Sequence, residues 1–510
     1  MQIKEYPMSF FNYLILGIIY FIGSSTSFTF GIGYFTLYRP IFSGLLTGMA
    51  LGNPMLGLMT GAIANLLFID FTSSGGSLKG DPCMAGILAA MLAVKLDIMP
   101  GAAIAIAYPV SMVGLVIWQY RLIYNVRFTD LLKKSINKNP IKALWRYSIF
   151  LPQLALLIGS VVATVITALV LYSLSDTFLG LIPKLEIVLN TTGILMIILS
   201  ASSAILWFKY KYNIILFSVA YIVSVYFHFD TYLVLIVILI ISAQKRKAMT
   251  LEKYQSSTLS TKHLLKSWAS WMNFNHACYN YELLQGVSFS YSMVPVFKKL
   301  YLGKREERED SIRRHFEFFN TEPNIGTVIH GYIIQLEDRK LFDKRITDSD
   351  ISDTKKGLMG AVARMEETTT QTVLAPLLVM GMIYGVVTEE LSFFVLSALM
   401  MSGAVIYLSL KGYFDGFYYG EEGVLRRVNL VKEIKLFKIS NKLFVILLGL
   451  VTGETIFRIL TLLEVEKITD GSAGLLVLFV IFNYLIRKGI KIKLIILALY
   501  LLNIVFLIFV

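Results

Sequence analysis

The apolar segments of the N-terminal part constrain this chain most. Tyr13 to Gly23, Pro40 to Phe68, Met84 to Leu96 and Gly101 to Tyr120 are punctuated by glycine and proline, and several are shorter than the ~20 residues that a regular helix needs to cross a bilayer. Lipid offers the backbone no hydrogen-bond partner, so segments at that depth must satisfy themselves as helices. Short, Gly/Pro-interrupted hydrophobic segments are the pattern of broken or re-entrant helices in transporters. Longer runs follow: Ile149 to Leu174, Asn190 to Phe208, Leu391 to Leu410, Leu443 to Leu463 and Leu494 to Val510. With 56% hydrophobic and 16% charged residues, and a mean hydropathy of +0.67, the expected fold class is an all-α polytopic membrane protein.

The net charge of +13 does not point to nucleic acid, because the basic residues sit in short clusters between apolar runs. Arg121, Arg127, Lys133, Lys134, Lys138, Lys142 and Arg146 face one acid, Asp130, which marks that loop as cytoplasmic. Lys209 and Lys211, Lys245 to Lys247, Arg426 to Lys442, and Arg487 to Lys493 mark the same side at each return of the chain. His228, between two apolar runs, reads as a turn residue at the outer surface. Cys83 and Cys278 have neither disulfide nor zinc spacing, so no metal or cofactor is expected. No cleaved signal is expected either, since the run Phe10 to Ile22 lacks a small-residue cleavage pattern.

Composition divides the chain into a membrane region (1–243), a polar linker (244–260), a charged region of amphipathic helices at the cytoplasmic face (261–356) and a second membrane region (357–510). In the third, Ile312, His315, Phe316 and Phe319 fall at helical spacing and predict a helix over Arg308 to Phe319. Two polar segments abut apolar runs: Asp70 to Pro82, and Gly357 to Pro376 with Glu366, Glu367, Thr368, Gln371 and Thr372. Each lines a cavity or is the wet mouth of a helix. GLMTGAIAN at Gly57 echoes GLMGAVAR at Gly357, as inverted repeats would. Asp81 precedes Pro82 and so reads equally as a helix cap or as an intramembrane functional acid.

Asn280-Tyr281-Glu282, Gln285, Ser292-Met293-Val294-Pro295, the run from Ile312-Arg313-Arg314-His315 to Glu322-Pro323, and Gly357-Leu358-Met359-Gly360 occur in the order and spacing of IID subunits of mannose-family sugar phosphotransferase permeases. The first half resembles the partner IIC subunit through Arg39-Pro40, Leu51-Gly52, Gly57, Gly61 and Asp81. The chain thus resembles a IIC joined to a IID. The resemblance implies a multi-pass protein of the bacterial plasma membrane in which the two halves enclose a sugar site, assembled as a trimer. It also implies separate cytoplasmic IIA and IIB proteins that carry the phosphate, so the chain is not a self-sufficient enzyme and has no catalytic residue of its own. The expected substrate-binding residues are Asn65, Asp81, Asn280, Glu282, Gln285 and Glu367. His315, in the family's Arg-Arg-His motif, is expected to serve packing rather than to accept phosphate.

Departures from the family pattern bear on substrate. Gly33, Tyr34 and Tyr38 stand where acids and a histidine are usual, Asn65 replaces a glutamate, and the glycine-rich turn of IID has become Arg364 to Thr372, with Glu367 aligned to an aspartate. A site loses discrimination when its polar partners change. Three readings stay open: a sugar permease of unusual specificity, a scaffold that exports or senses a peptide or hydrophobic metabolite, and a docking protein for bacteriocins. For topology, cysteines placed at Ser135 and Ser440 in a background lacking Cys83 and Cys278 are expected to resist an impermeant thiol reagent in intact cells and to react in inverted vesicles. Labelling from outside would reverse the assignment.

Overall fold

The computed structural model describes residues 8–69, 80–181, 184–206, 212–227, 253–256, 258–366, 374–431, 434–462 and 468–509, and among them it is helical with no strand. The predicted interruptions appear as short helices α1 (Phe10–Ser25), α2 (Pro40–Leu51), α3 (Pro54–Leu67), α4 (Pro82–Leu96) and α5 (Pro100–Val110). Helices α2 and α3 have 12 and 14 residues, about 18 and 21 Å at 1.5 Å per residue, which is short of a ~30 Å hydrocarbon core. They form a hairpin rather than one run. Gly52 takes the left-handed conformation (φ 94°) that ends α2, the Asn53 side chain caps α3 by accepting from Leu56 N at 3.1 Å, and Pro54 opens it.

The hairpin closes at the level of backbone. A methyl on Gly44 would stand 2.6 Å from the carbonyl oxygen of Gly57, and one on Gly48 would stand 2.9 Å from Gly57 Cα. The four-residue spacing of Gly44/Gly48 and Gly57/Gly61 puts one smooth face on each helix. Gly357 and Gly360, the other half of the sequence echo, have open space where a methyl would go. The echoed glycines therefore do different structural work.

The first half continues through α6 (Met112–Ser135), α7 (Pro140–Leu144), a π-helical turn (Trp145–Phe150), α8 (Leu151–Leu181), α9 (Lys184–Ile205) and α10 (Asn213–Phe227). The second comprises α11 (Thr261–Phe274), α12 (Gly286–Leu300), α13 (Arg305–Arg314), α14 (Thr327–Lys340), α15 (Asp348–Glu366), α16 (Ala375–Val387), α17 (Leu391–Val431, kinked at Gly420), α18 (Ile434–Leu462), α19 (Ile468–Arg487) and α20 (Ile492–Phe509). Among the described residues, six helical stretches are long and apolar enough to span a membrane, three in each half. The expected cytoplasmic cluster Lys245 to Lys247 and most of the linker lie outside the described residues.

The halves interlock. Helix α10 packs on α18 and α9 on α19 and α20; the rings of Phe217 and Phe479 stack at 4.0 Å, and Ser202 donates to the Phe479 carbonyl at 3.0 Å. At the other end, residues 26–30 of the first half hold Thr26, Phe28 and Phe30 at positive φ, a conformation costly for side-chain-bearing residues. Phe28 meets Phe274 edge-on at 5.2 Å, Phe30 stacks on Trp268 at 6.0 Å, and Phe30 N donates to Asn273 Oδ1 at 3.1 Å. These contacts offset the strain.

One element is shorter than its periodicity implies. The expected helix over Arg308 to Phe319 ends at Arg314, because Phe319 turns its backbone to another segment: Gln285 N donates to Phe319 O at 2.8 Å and Phe319 N to Leu283 O at 3.3 Å. The side chains of Ile312, His315 and Phe319 are buried all the same, so the apolar spacing marked burial without helix.

Gly44→Ile or Gly57→Ile is expected to lower the melting temperature of the detergent-solubilised protein, consistent with overpacking costs of about 1–3 kcal/mol or more. Gly357→Ala and Gly360→Ala, on an open helix face, are expected to be neutral or stabilising by up to ~1 kcal/mol. Equal effects at both pairs would contradict the difference in surroundings.

Candidate functional site

Asp81 is buried at the start of α4 and gathers three donors. Its Oδ1 accepts from Met84 N at 2.9 Å, the helix cap; its Oδ2 accepts from the phenols of Tyr20 on α1 at 2.8 Å and Tyr38 at 3.2 Å. The two sequence readings of this residue are thus compatible, since capping uses one oxygen and leaves the other for the phenols. Gly114 on α6 lies against the carboxylate, where a methyl would come within 2.5 Å of Asp81 Cγ. Tyr38 was visible in the sequence only as a departure from the family pattern; its hydroxyl now addresses the acid that remains.

Asn65 is fully buried in the last turn of α3, and both polar atoms of its amide lack a hydrogen-bond partner among the described residues. The end of that helix reaches Asp81's neighbour: a methyl on Gly80 would be 3.3 Å from the Phe68 ring. A buried amide without partners is costly. Helix α3 also packs against α16, which follows residues 367–373. Glu367 lies outside the described residues.

Arg121 was counted in the sequence among the basic anchors. It is instead buried, and it crosses the seam between halves: Nη1 donates to Ser24 O at 3.1 Å and Nη2 to His276 O at 2.6 Å. Asn125 donates to Tyr279 O at 2.8 Å and Gln153 to Ala277 O at 3.2 Å, while Gln153 accepts from Ser25 Oγ at 2.6 Å. The segment 276–279 of the second half is therefore held by side chains of the first. Nothing in their spacing singled out Arg121, Asn125 or Gln153, because their carbonyl partners in the second half are more than 120 residues away.

The IID-motif residues form the continuation of that wall. Asn280 accepts from Glu282 N and Leu283 N, both at 3.0 Å, and donates to Cys278 O at 2.8 Å. Gln285 donates to Thr321 O at 2.8 Å and accepts from Thr321 N at 3.0 Å. Glu282, half exposed, meets Lys133 of the first half at 2.5 Å. Asn280 thus fixes its own turn, Gln285 ties that turn to the segment at Thr321, and Glu282 ties the halves.

Below the seam lies a buried ionic cluster. Arg314 meets Glu337 Oε2 at 2.8 Å and Asp348 at 2.5 Å, and His315 Nε2 donates to Glu337 Oε1 at 2.9 Å. Burial alone would raise the Glu337 carboxyl, but the His315 hydrogen bond and the Arg314 charge hold it below the usual range. Burial pushes His315 down to about 4, and His276 and His330 down to about 3, so all three are neutral at pH 7.

The sequence model described as the PTS system mannose/fructose/sorbose family IID component matches residues 258–510, and the one described as the PTS system sorbose-specific IIC component matches residues 10–243. The chain belongs to the mannose/fructose/sorbose family of phosphotransferase-system membrane components, with a IIC unit and a IID unit in one multi-pass polypeptide. It is similar to the mannose-specific EIID component of Escherichia coli K12 (40% identical over 91 residues, 18% of this chain and 32% of that protein). It is also similar to the fructose permease IID component of Bacillus subtilis (35% over 152 residues, 28% and 54%) and to N-acetylgalactosamine permease IIC component 1 of E. coli K12 (36% over 76 residues, 15% and 28%). The matched stretches thus span about a third to a half of those relatives. Among solved structures, a mannose transporter ManYZ and microcin E492 complex is 23% identical, with a TM-score of 0.28 over 49% of this chain and 97% of that one.

Acidification is expected to unfold the 261–356 region early. A histidine whose folded pKa lies below its unfolded value of ~6.5 contributes stability that is complete above pH 6.5 and lost as pH falls toward its folded value. For His315 that window runs from about 6.5 to about 4. Tryptophan fluorescence or hydrogen exchange between pH 7 and 4 checks this. Glu337→Gln, which strips Arg314 and His315 of their shared anion, is expected to cost about 3–5 kcal/mol.

Proposed function

We propose that this chain is the translocation component of a phosphotransferase-type sugar permease, working with separate IIA and IIB proteins that phosphorylate the incoming sugar, and assembling as a homotrimer. The observation that carries the reading is the buried Asp81 carboxylate, addressed by two phenols from different segments within reach of the helix end that bears the unpartnered Asn65 amide. A sugar is an uncharged ring of hydroxyls, each both donor and acceptor. A carboxylate, phenols that can donate or accept, and a free amide form a matching set.

In this reading Asn65 and Asp81 border the sugar site, and Tyr20 and Tyr38 orient the carboxylate. Asn280, Glu282 and Gln285 hold the facing wall, so their contribution to binding is through its position. Tyr38 and Asn65, standing where relatives carry other groups, set a specificity different from theirs.

Asp81→Asn isolates the site from the cap, because asparagine caps helices about as well as aspartate. In binding assays with radiolabelled mannose, fructose, sorbose and N-acetylgalactosamine, the wild-type chain is expected to retain at least one sugar. Asp81→Asn is expected to weaken it about tenfold or more, the scale of a hydrogen bond to a charged group. Tyr38→Phe should weaken binding less, with little change in melting temperature. Sugar binding untouched by Asp81→Asn would remove Asp81 from the site. Failure of the whole panel on folded wild-type protein would favour the exporting or sensing scaffold.

A further inference from the structure

An open groove of about 760 Å³ runs along the seam between α7 with the π-helical turn of the first half and α11 with α12 of the second. Lys142, Lys266, Lys298 and Lys299 line it, no lining residue is acidic, and none of these lysines makes an ion pair among the described residues. The groove therefore carries uncompensated positive charge. His263 in its wall registers the same field: burial first, and then Lys299, Lys266 and Lys262, push it below its usual range.

The apolar surface beside the groove says what kind of anion fits. Trp145, half exposed in the groove wall, stacks on Phe150 with ring centroids 5.3 Å apart. From Phe150 an exposed ridge climbs α8 at every fourth residue: Leu154, Ile158, Val162, Ile166 and Val170, between 40% and 57% exposed. Twenty residues of helix rise ~30 Å, the thickness of a bilayer's hydrocarbon core. The ridge is thus a lipid-facing stripe, and its lower end, with a tryptophan at headgroup depth, opens into the lysine groove. Lys142 belongs to the basic cluster that places this end in the cytoplasmic leaflet.

We infer that the groove binds the headgroup phosphate of an anionic phospholipid of the cytoplasmic leaflet, with an acyl chain lying on the α8 ridge, so that one lipid bridges the two halves. The lysines supply the charge, Trp145 the interfacial ring and the ridge the chain's path; a soluble anion would have no use for the last.

The test uses the purified full-length chain in a mild, delipidating detergent. Native mass spectrometry and thermal melts are recorded with phosphatidylglycerol, phosphatidylcholine or inorganic phosphate. Phosphatidylglycerol is expected to stay bound and to raise the melting temperature, while the other two do neither. Lys298→Gln with Lys299→Gln is expected to weaken phosphatidylglycerol binding by about tenfold or more, the scale of removing two lysines from an anionic surface. The Arg double variant at the same positions should restore it, which also shows that the scaffold tolerates substitution, and Lys488→Gln with Lys491→Gln, in another inner loop, should change nothing. Equal stabilisation by phosphatidylcholine, an equal shift with inorganic phosphate, or unchanged lipid binding in the Lys298/Lys299 Gln variant would each overturn the inference.

Discussion

The seam between the two halves depends on how the Arg121 guanidinium is satisfied. A permanently charged group that is almost wholly buried is tolerable only if its donors are met. The answer comes from carbonyl oxygens on both sides, Ser24 in the first half and His276 in the second. Neither half can satisfy Arg121 alone. Asn125 and Gln153 repeat the device on Tyr279 and Ala277, so the loop that leads into the Asn280 and Gln285 turns is shaped by its partner half. One turn before Ser24 on α1, Tyr20 turns its hydroxyl to Asp81. The acid, the helix and the arginine thus form one connected unit.

Around this seam, helices approach as closely as backbones allow. Between helices surrounded by lipid the hydrophobic effect gives little drive, so close packing and interhelical hydrogen bonds must hold them together. Gly44, Gly48, Gly57 and Gly61 join α2 to α3; Gly331 and Gly416 let α14 and α17 meet backbone to backbone; and a methyl on Gly193 would stand 2.9 Å from Gly101 Cα. Between these contacts run hydroxyl-to-carbonyl bonds such as Ser200 to Leu67 and Ser224 to Leu450. The hairpin is therefore closely packed along its length, and Asn65 lies in the last turn of its second helix.

Much of this architecture was legible along the chain. Hydropathy marked the membrane helices, and glycines and prolines marked the breaks in α2 to α5. Local chemistry was legible too: Asp81 before Pro82 is a cap, and it caps α4. What could not be read were relations between distant segments. The echo of Gly57 in Gly357 looked like a repeat, but one pair faces a helix and the other faces open space. The pattern from Ile312 to Phe319 looked like one helix, but its second turn hydrogen-bonds to residues 283–285.

The sequence by itself determined that this is a multi-pass helical membrane protein of two joined units with short helices in the first, because lipid forces the backbone into helices and leaves apolar length and flanking charge as the readable record. Only the tertiary structure decided that Arg121 is a buried clasp instead of a surface anchor, that Tyr20 and Tyr38 converge on Asp81, and that Gln285 answers the backbone of Thr321. A buried polar group is defined by the partner that answers it, and each of these partners comes from a segment whose distance along the chain carries no trace of its closeness in space.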